Sequence, residues 1–133
     1  MYSFEISISS PLDHALLKVR EALAREGFGV LFDIDIQATL KAKLSVESRP
    51  YRILGACNPG YAHRALGVDT NIGLLLPCNV VVREEDNGTV TVAFMDPQAV
   101  LTLVEEPAIM PVAEQVRTAL MRVRDDLGKM AGI

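Results

Sequence analysis

The chain has 133 residues, of which 50% are hydrophobic and 23% charged, with no Trp and a formal net charge of -4. That length fits one domain spanning 1–133 with a sizeable core and no need of metal or disulfide staples. The mild acidity and scattered Arg and Lys argue against nucleic-acid binding, which needs a basic stripe, and the longest apolar run, Ile72 to Leu76, is far short of the roughly 20 residues that span a bilayer. The amino terminus, Met1-Tyr2-Ser3-Phe4-Glu5, carries neither a basic region nor an apolar signal core, so the expected location is the cytoplasm, where thiols stay reduced.

In chain order, Tyr2, Phe4, Ile6 and Ile8 alternate with polar residues and predict a half-buried strand. Ser10 then reads as a helix cap with Pro11 at the first helical position, and Leu12, Leu16, Val19 and Leu23 form the core stripe that follows. Gly27 suits a left-handed stop. Beyond it, Phe28, Val30, Phe32, Ile34 and Ile36 alternate with Gly29, Leu31, Asp33 and Asp35, the pattern of a second strand. Asp33 or Asp35 caps a short helix through Thr39–Leu44, and Ser45 to Pro50 is a polar loop.

Tyr51 to Cys57 predicts an inner strand that runs into Asn58-Pro59, a cap and first helical position for a short helix ending at Gly67. Ile72 to Leu76 is expected to be strand and stops at Pro77, which cannot donate to a ladder. For the hairpin that follows, a two-residue Asn87-Gly88 turn would mix polar and apolar residues on one face. A three-residue Asp86-Asn87-Gly88 loop instead gathers Val80, Val82, Val90, Val92 and Phe94 together, and is the preferred register. Asp96-Pro97 opens another short helix, and from Pro111 a last helix carries Val112, Val116, Ala119, Leu120, Val123 and Leu127 inward, with Arg117, Arg122 and Arg124 outside. The order, with three consecutive strands before two final helices, predicts an α+β fold: a mainly antiparallel sheet with helices packed on one face.

Four elements in sequence, Glu26-Gly27-Phe28-Gly29-Val30, Asn58-Pro59, Gly73-Leu74-Leu75-Leu76-Pro77 and Asp96-Pro97, resemble the signature of the uncharacterised family called domain of unknown function 302. The resemblance covers nearly the whole chain. It implies a TATA-binding-protein-like fold with added helices and a homodimer, and no established activity. It singles out Asn58, Pro59, Leu76 and Pro77; cysteines beside them belong to only some members. DNA binding does not travel with the fold.

The only two cysteines fall in Cys57-Asn58-Pro59 and Leu76-Pro77-Cys78-Asn79. Cys57, ahead of a helix N-terminus, is placed to have its thiolate stabilised by free amides and the helix dipole. Together with His63 and Cys78 it would make a three-ligand set for zinc or copper, with Asp96 or a second subunit completing it. Against this stand the lack of paired Cys-x-x-Cys spacing and the inward strand parity of Cys78, which makes that thiol a small hydrophobe; packing and capping are the favoured roles. His63 reads as an exposed or capped helix residue and His14 as surface. No phosphate loop or nucleophile elbow occurs, and Glu84-Glu85-Asp86 and Glu105-Glu106 read as solvated. The expected function is thus a dimeric, non-enzymatic module without a cofactor. It would bind a small ligand or partner in a pocket at Cys57, Asn58, His63, Pro77, Cys78 and Asn79, the alternative being a thiol- or metal-dependent enzyme or metal carrier using Cys57, His63 and Cys78.

Overall fold

In the computed structural model, which describes residues 1–131, local sequence signals set most boundaries. Strand β1 (Ser3–Ile8) leads into helix α1 (Leu12–Arg25), whose cap is Pro11, one residue later than Ser10; the Ser10 hydroxyl donates to the Pro11 carbonyl at 3.3 Å and caps nothing. Gly27, at φ +84°, closes α1 in the left-handed region that glycine adopts without strain. Strand β2 (Gly29–Asp35) passes directly into α2 (Ile36–Leu44), where the Asp35 carboxylate accepts from the Ala38 amide at 2.9 Å. Strand β3 (Tyr51–Cys57) and helix α3 (Pro59–Val68) meet at Asn58, with Pro59 at the first helical position.

The expected strand at Ile72–Leu76 is instead a 3-10 helix, Thr70–Leu75. Asp69 nucleates it: its carboxylate accepts from the Asn71 amide at 2.9 Å and its carbonyl from the Ile72 amide at 3.1 Å. This local side-chain bond offers the backbone an alternative to a ladder, and Leu74 is left 86% exposed. A cis Leu76–Pro77 peptide follows. Strands β4 (Cys78–Glu84) and β5 (Val90–Met95) form the hairpin, then α4 (Pro97–Val100), a 3-10 turn at Leu101–Leu103 and α5 (Ile109–Ala131). Asp96 caps α4, accepting from the Gln98 amide at 3.0 Å.

All five strands join one antiparallel sheet in the order β1-β5-β4-β3-β2, the α+β arrangement expected. The hairpin has the three-residue register: Val80 faces Phe94, Val82 faces Val92, and Gly88 is left-handed at φ +86°. One face is core, built on Leu54, Ala56, Val80, Val82, Val92 and Phe94, each at most 1% exposed. Helices α1 and α5 cover it with Val19, Leu23, Leu120, Val123 and Leu127 among others, and α3 packs beside α5. Phe4 stacks on Phe94 at 5.4 Å, and the Arg117 and Arg124 guanidinium carbons lie 5.9 and 5.5 Å from its ring. These two arginines therefore fasten α5 to β1 rather than standing free outside it.

The simple alternation expected along β2 fails at a bulge between Val30 and Phe32. Val30 opposes core-facing Ala56, but beyond the extra residue Phe32 opposes Gly55 and Ile34 opposes Ile53, on the other face. Asp33 thereby turns to the helix side, where Arg52 donates to it from both Nε and Nη2, at 2.8 and 2.6 Å, and Arg20 of α1 adds a contact at 3.1 Å. The sheet's outer face receives Phe32, Ile34, Ile53 and Val81.

Candidate functional site

The sequence places proline after a strand at Asn58-Pro59 and before one at Pro77-Cys78, and antiparallel pairing of β3 with β4 brings these two breaks to the same end of the sheet. Ala56 pairs with Cys78. A cavity of about 270 Å³ opens there. Ala56, Cys57 and Cys78 form its sheet wall, Phe28 and Leu31 the side toward β2, Leu76 and Pro77 the approach to β4, and Leu101, Val112 and Val116 the side toward α4 and α5. Helix α3 contributes Tyr61, Ala62, Ala65 and Leu66, at spacings that put all four on one helical face.

Four of the six residues singled out from sequence, Cys57, Asn58, Pro77 and Cys78, line this cavity. His63 and Asn79 do not. His63 falls between the Tyr61/Ala62 and Ala65/Leu66 pairs and is exposed on the other side of α3. Asn79 follows inward Cys78 and so takes the outer sheet face opposite Gly55, also exposed. With His63 turned away, the set Cys57, His63 and Cys78 is not assembled, and among the described residues no group of three or more His, Cys, Asp and Glu is placed to hold a metal ion.

Asn58 occupies the α3 cap position, yet its side chain makes no bond to that helix. Its Nδ2 instead donates to the Glu26 carbonyl at 3.2 Å, tying the β3–α3 junction to the α1–β2 turn. Both cysteines are free thiols; Cys57 is half-buried, and Cys78 is 5% exposed. Burial pushes the Cys78 thiol up from the ordinary 9.0 to about 12, with the neighbouring Cys57 adding to the effect. Cys78 is thus a neutral thiol at physiological pH, as its inward parity required, and a poor nucleophile.

The cavity walls are the part that sequence reading missed. Phe28 lies within the Glu26–Val30 stretch already marked, and Val112 and Val116 belong to the inward stripe expected of the last helix; nothing local pointed to their meeting Leu31, Leu101 and the Tyr61, Ala62, Ala65 and Leu66 face of α3 around one cavity. Of the lining residues only Cys57, Asn58, Tyr61 and Cys78 carry a polar side-chain atom, and none is charged. Such a concave apolar site with few polar groups is the ordinary form of a small-molecule pocket.

The profile of the family described as "Domain of unknown function DUF302" matches residues 4–127. The chain belongs to the DUF302 family. Its fold is also similar to the crystal structure of an uncharacterized conserved DUF302 protein from Bacillus stearothermophilus, at 29% sequence identity over 96% of this chain and 98% of that one, with a TM-score of 0.89. No curated protein matches. The DUF302 assignment thus fixes ancestry and architecture and leaves the chemistry to be argued from the cavity. No helix among the described residues is long and apolar enough to cross a membrane.

Proposed function

We propose that this DUF302 chain is a non-enzymatic binding module that takes a small molecule in the cavity between α3 and the β3–β4 end of the sheet. The observation that carries this reading is the convergence of Cys57, Asn58, Pro77 and Cys78 from two separated breaks onto one apolar cavity of about 270 Å³. The net charge of -4 favours a small ligand over a nucleic acid. Two unpaired cysteines accord with a cytoplasmic setting. Cys78, held neutral in the wall, and His63, outside it, remove the partners a thiol- or metal-based reaction at Cys57 would use.

We further propose that the module acts as a homodimer through the outer sheet face. Pairing sets Ile34, Ile53, Val81 and Ala93 in one row across four strands, ending at Glu5. Ile34 is 42% exposed, and toward the rim Glu5 and Arg83 lie 3.8 Å apart as an ion pair within the chain, so the apolar row is bordered by charges already matched. At strand spacings of about 4.8 Å and rises of about 3.4 Å per residue, the face of this sheet covers on the order of 500 Å² before side-chain relief is counted, against the roughly 800 Å² that each partner buries in a standard stable complex.

A fragment library containing neutral, anionic and cationic compounds, screened by amide-resolved NMR, tests the binding reading. Saturable shifts confined to residues 56–66 and 76–78, and lost in Ala62→Phe, are expected. A library in which no fragment of any charge class moves those amides would overturn it.

A further inference from the structure

We propose that the ligand of this cavity is an electrically neutral, mainly apolar molecule with roughly eight to ten carbon atoms and a single polar, uncharged group, which meets the few polar side-chain atoms of the wall. This rests on the binding reading above and narrows it to a chemical class. The size follows from the volume: an apolar cavity of about 150 Å³ admits benzene, so about 270 Å³ admits a fused bicyclic ring or a folded eight-carbon chain.

The neutrality follows from what surrounds the space. No Asp, Glu, Lys, Arg or His lines it, so an ionic ligand would lose its hydration with no counter-charge in the wall. The upward shift of Cys78, caused first by desolvation, reports the same penalty on a charge at the sheet wall. Ala56, Ala65, Val112 and Val116 offer only carbon, a surface that gains from covering apolar area and not from polar contacts.

The single polar group follows from the sparse polar lining, Cys57, Asn58, Tyr61 and Cys78, of which Asn58 has the most to offer. One Nδ2 hydrogen is committed to the Glu26 carbonyl and the side chain makes no bond to α3, so the second amide hydrogen and the Oδ1 of this half-buried lining residue have no partner among the described residues. A ligand hydroxyl can donate to the one or accept from the other, Oδ1 and the amide hydrogen respectively. The cavity is open toward solvent beside Leu31 and Leu66, 65% and 42% exposed, which gives an apolar molecule a route in over an apolar lip.

The test titrates the full chain at pH 7 with 1-octanol, octanoate and octylammonium, followed by calorimetry and amide-resolved NMR. Binding of 1-octanol at least tenfold tighter than either ion, with shifts at residues 56–66 and 76–78, is expected. Ala62→Phe should weaken 1-octanol at least tenfold, and Leu66→Phe, an exposed position at the lip, should do the same should the first variant not fold. Equal or tighter binding of octanoate or octylammonium at those amides would overturn the inference and leave the binding reading standing. So would octanol binding untouched by a folded pocket-filling variant. If no eight-carbon probe binds, the inference fails; whether the cavity binds anything is then decided by the mixed-charge fragment screen.

Discussion

Asn58 Nδ2 donates to the carbonyl oxygen of Glu26 at 3.2 Å, across 32 residues of chain, and lies 3.0 Å from where a Cβ on Gly27 would stand. The two stretches that carry the family resemblance most plainly, Glu26–Val30 and Asn58-Pro59, are therefore one structural unit: a glycine turn with an amide clamped over it. This unit holds Phe28 and Cys57, on adjoining sides of the cavity, in fixed relation, Gly29 being paired with Cys57.

Asn58→Ala removes one part-buried hydrogen bond and is expected to cost about 1 kcal/mol. Gly27→Ala must place a side chain at φ +84° and meet the Asn58 amide, and should cost about 1–3 kcal/mol. Because the clash needs Asn58, the double variant should lose less than the sum. Urea denaturation of the four proteins measures the coupling; strict additivity would show that the amide is not clamped over the turn.

Cys78 makes stability depend on alkaline pH. Its folded-state value of about 12 lies above the ordinary thiol value of 9.0, so the unfolded chain ionises first. The stabilisation is complete below about pH 9 and declines by about 1.4 kcal/mol per pH unit as pH rises from there toward 12. Comparing wild type with Cys78→Ala in urea at pH 8 and 10.5 cancels the other titrating groups. A gap between the two proteins that does not change with pH would contradict a buried thiol at this position.

Asp33 gives the opposite dependence. The two-point bond from Arg52, aided by Arg20, holds its carboxyl below the usual 3.8 despite an opposing contribution from burial. The stability it supplies is present above the ordinary value and is lost as pH falls through the lowered one. Asp33→Asn should cost about 2 kcal/mol at pH 7 and flatten the acid limb of the melting-temperature profile. An acid limb identical to wild type would place the stabilising carboxylate elsewhere.

Ile53 and Val81 are neighbours across β3 and β4 on the outer face. Val81→Arg puts a guanidinium in the middle of the proposed dimer contact and should yield a monomer by light scattering after size exclusion, with the melting temperature of an isolated chain retained. A wild-type chain that is already monomeric at tens of micromolar would remove the homodimer from the proposal.

Short-range signals carried most of the fold. The Asp96-Pro97 and Asp35 caps, the stop at Gly27 and the apolar stripe of the last helix depend on residues within one or two turns, and the hairpin register followed from counting residues between two alternating runs. Local pattern failed where two local outcomes compete. Ile72–Leu76 is apolar enough for a strand, but the Asp69 side chain settles it as a 3-10 helix, and the Val30/Phe32 bulge reverses a facing that simple alternation had assigned.

What the sequence by itself determined is the α+β element order and two proline-marked breaks, because caps, turns and periodicity act within a few bonds of the residues that specify them. Only the tertiary structure decided that these breaks share a cavity, that Asn58 clamps Glu26 rather than capping α3, and that His63 and Asn79 point away. Those outcomes depend on the β3–β4 register, on the rotation of α3 about its axis and on walls supplied by α5 from the far end of the chain. All three are set by how separate elements pack together, which no window of sequence contains.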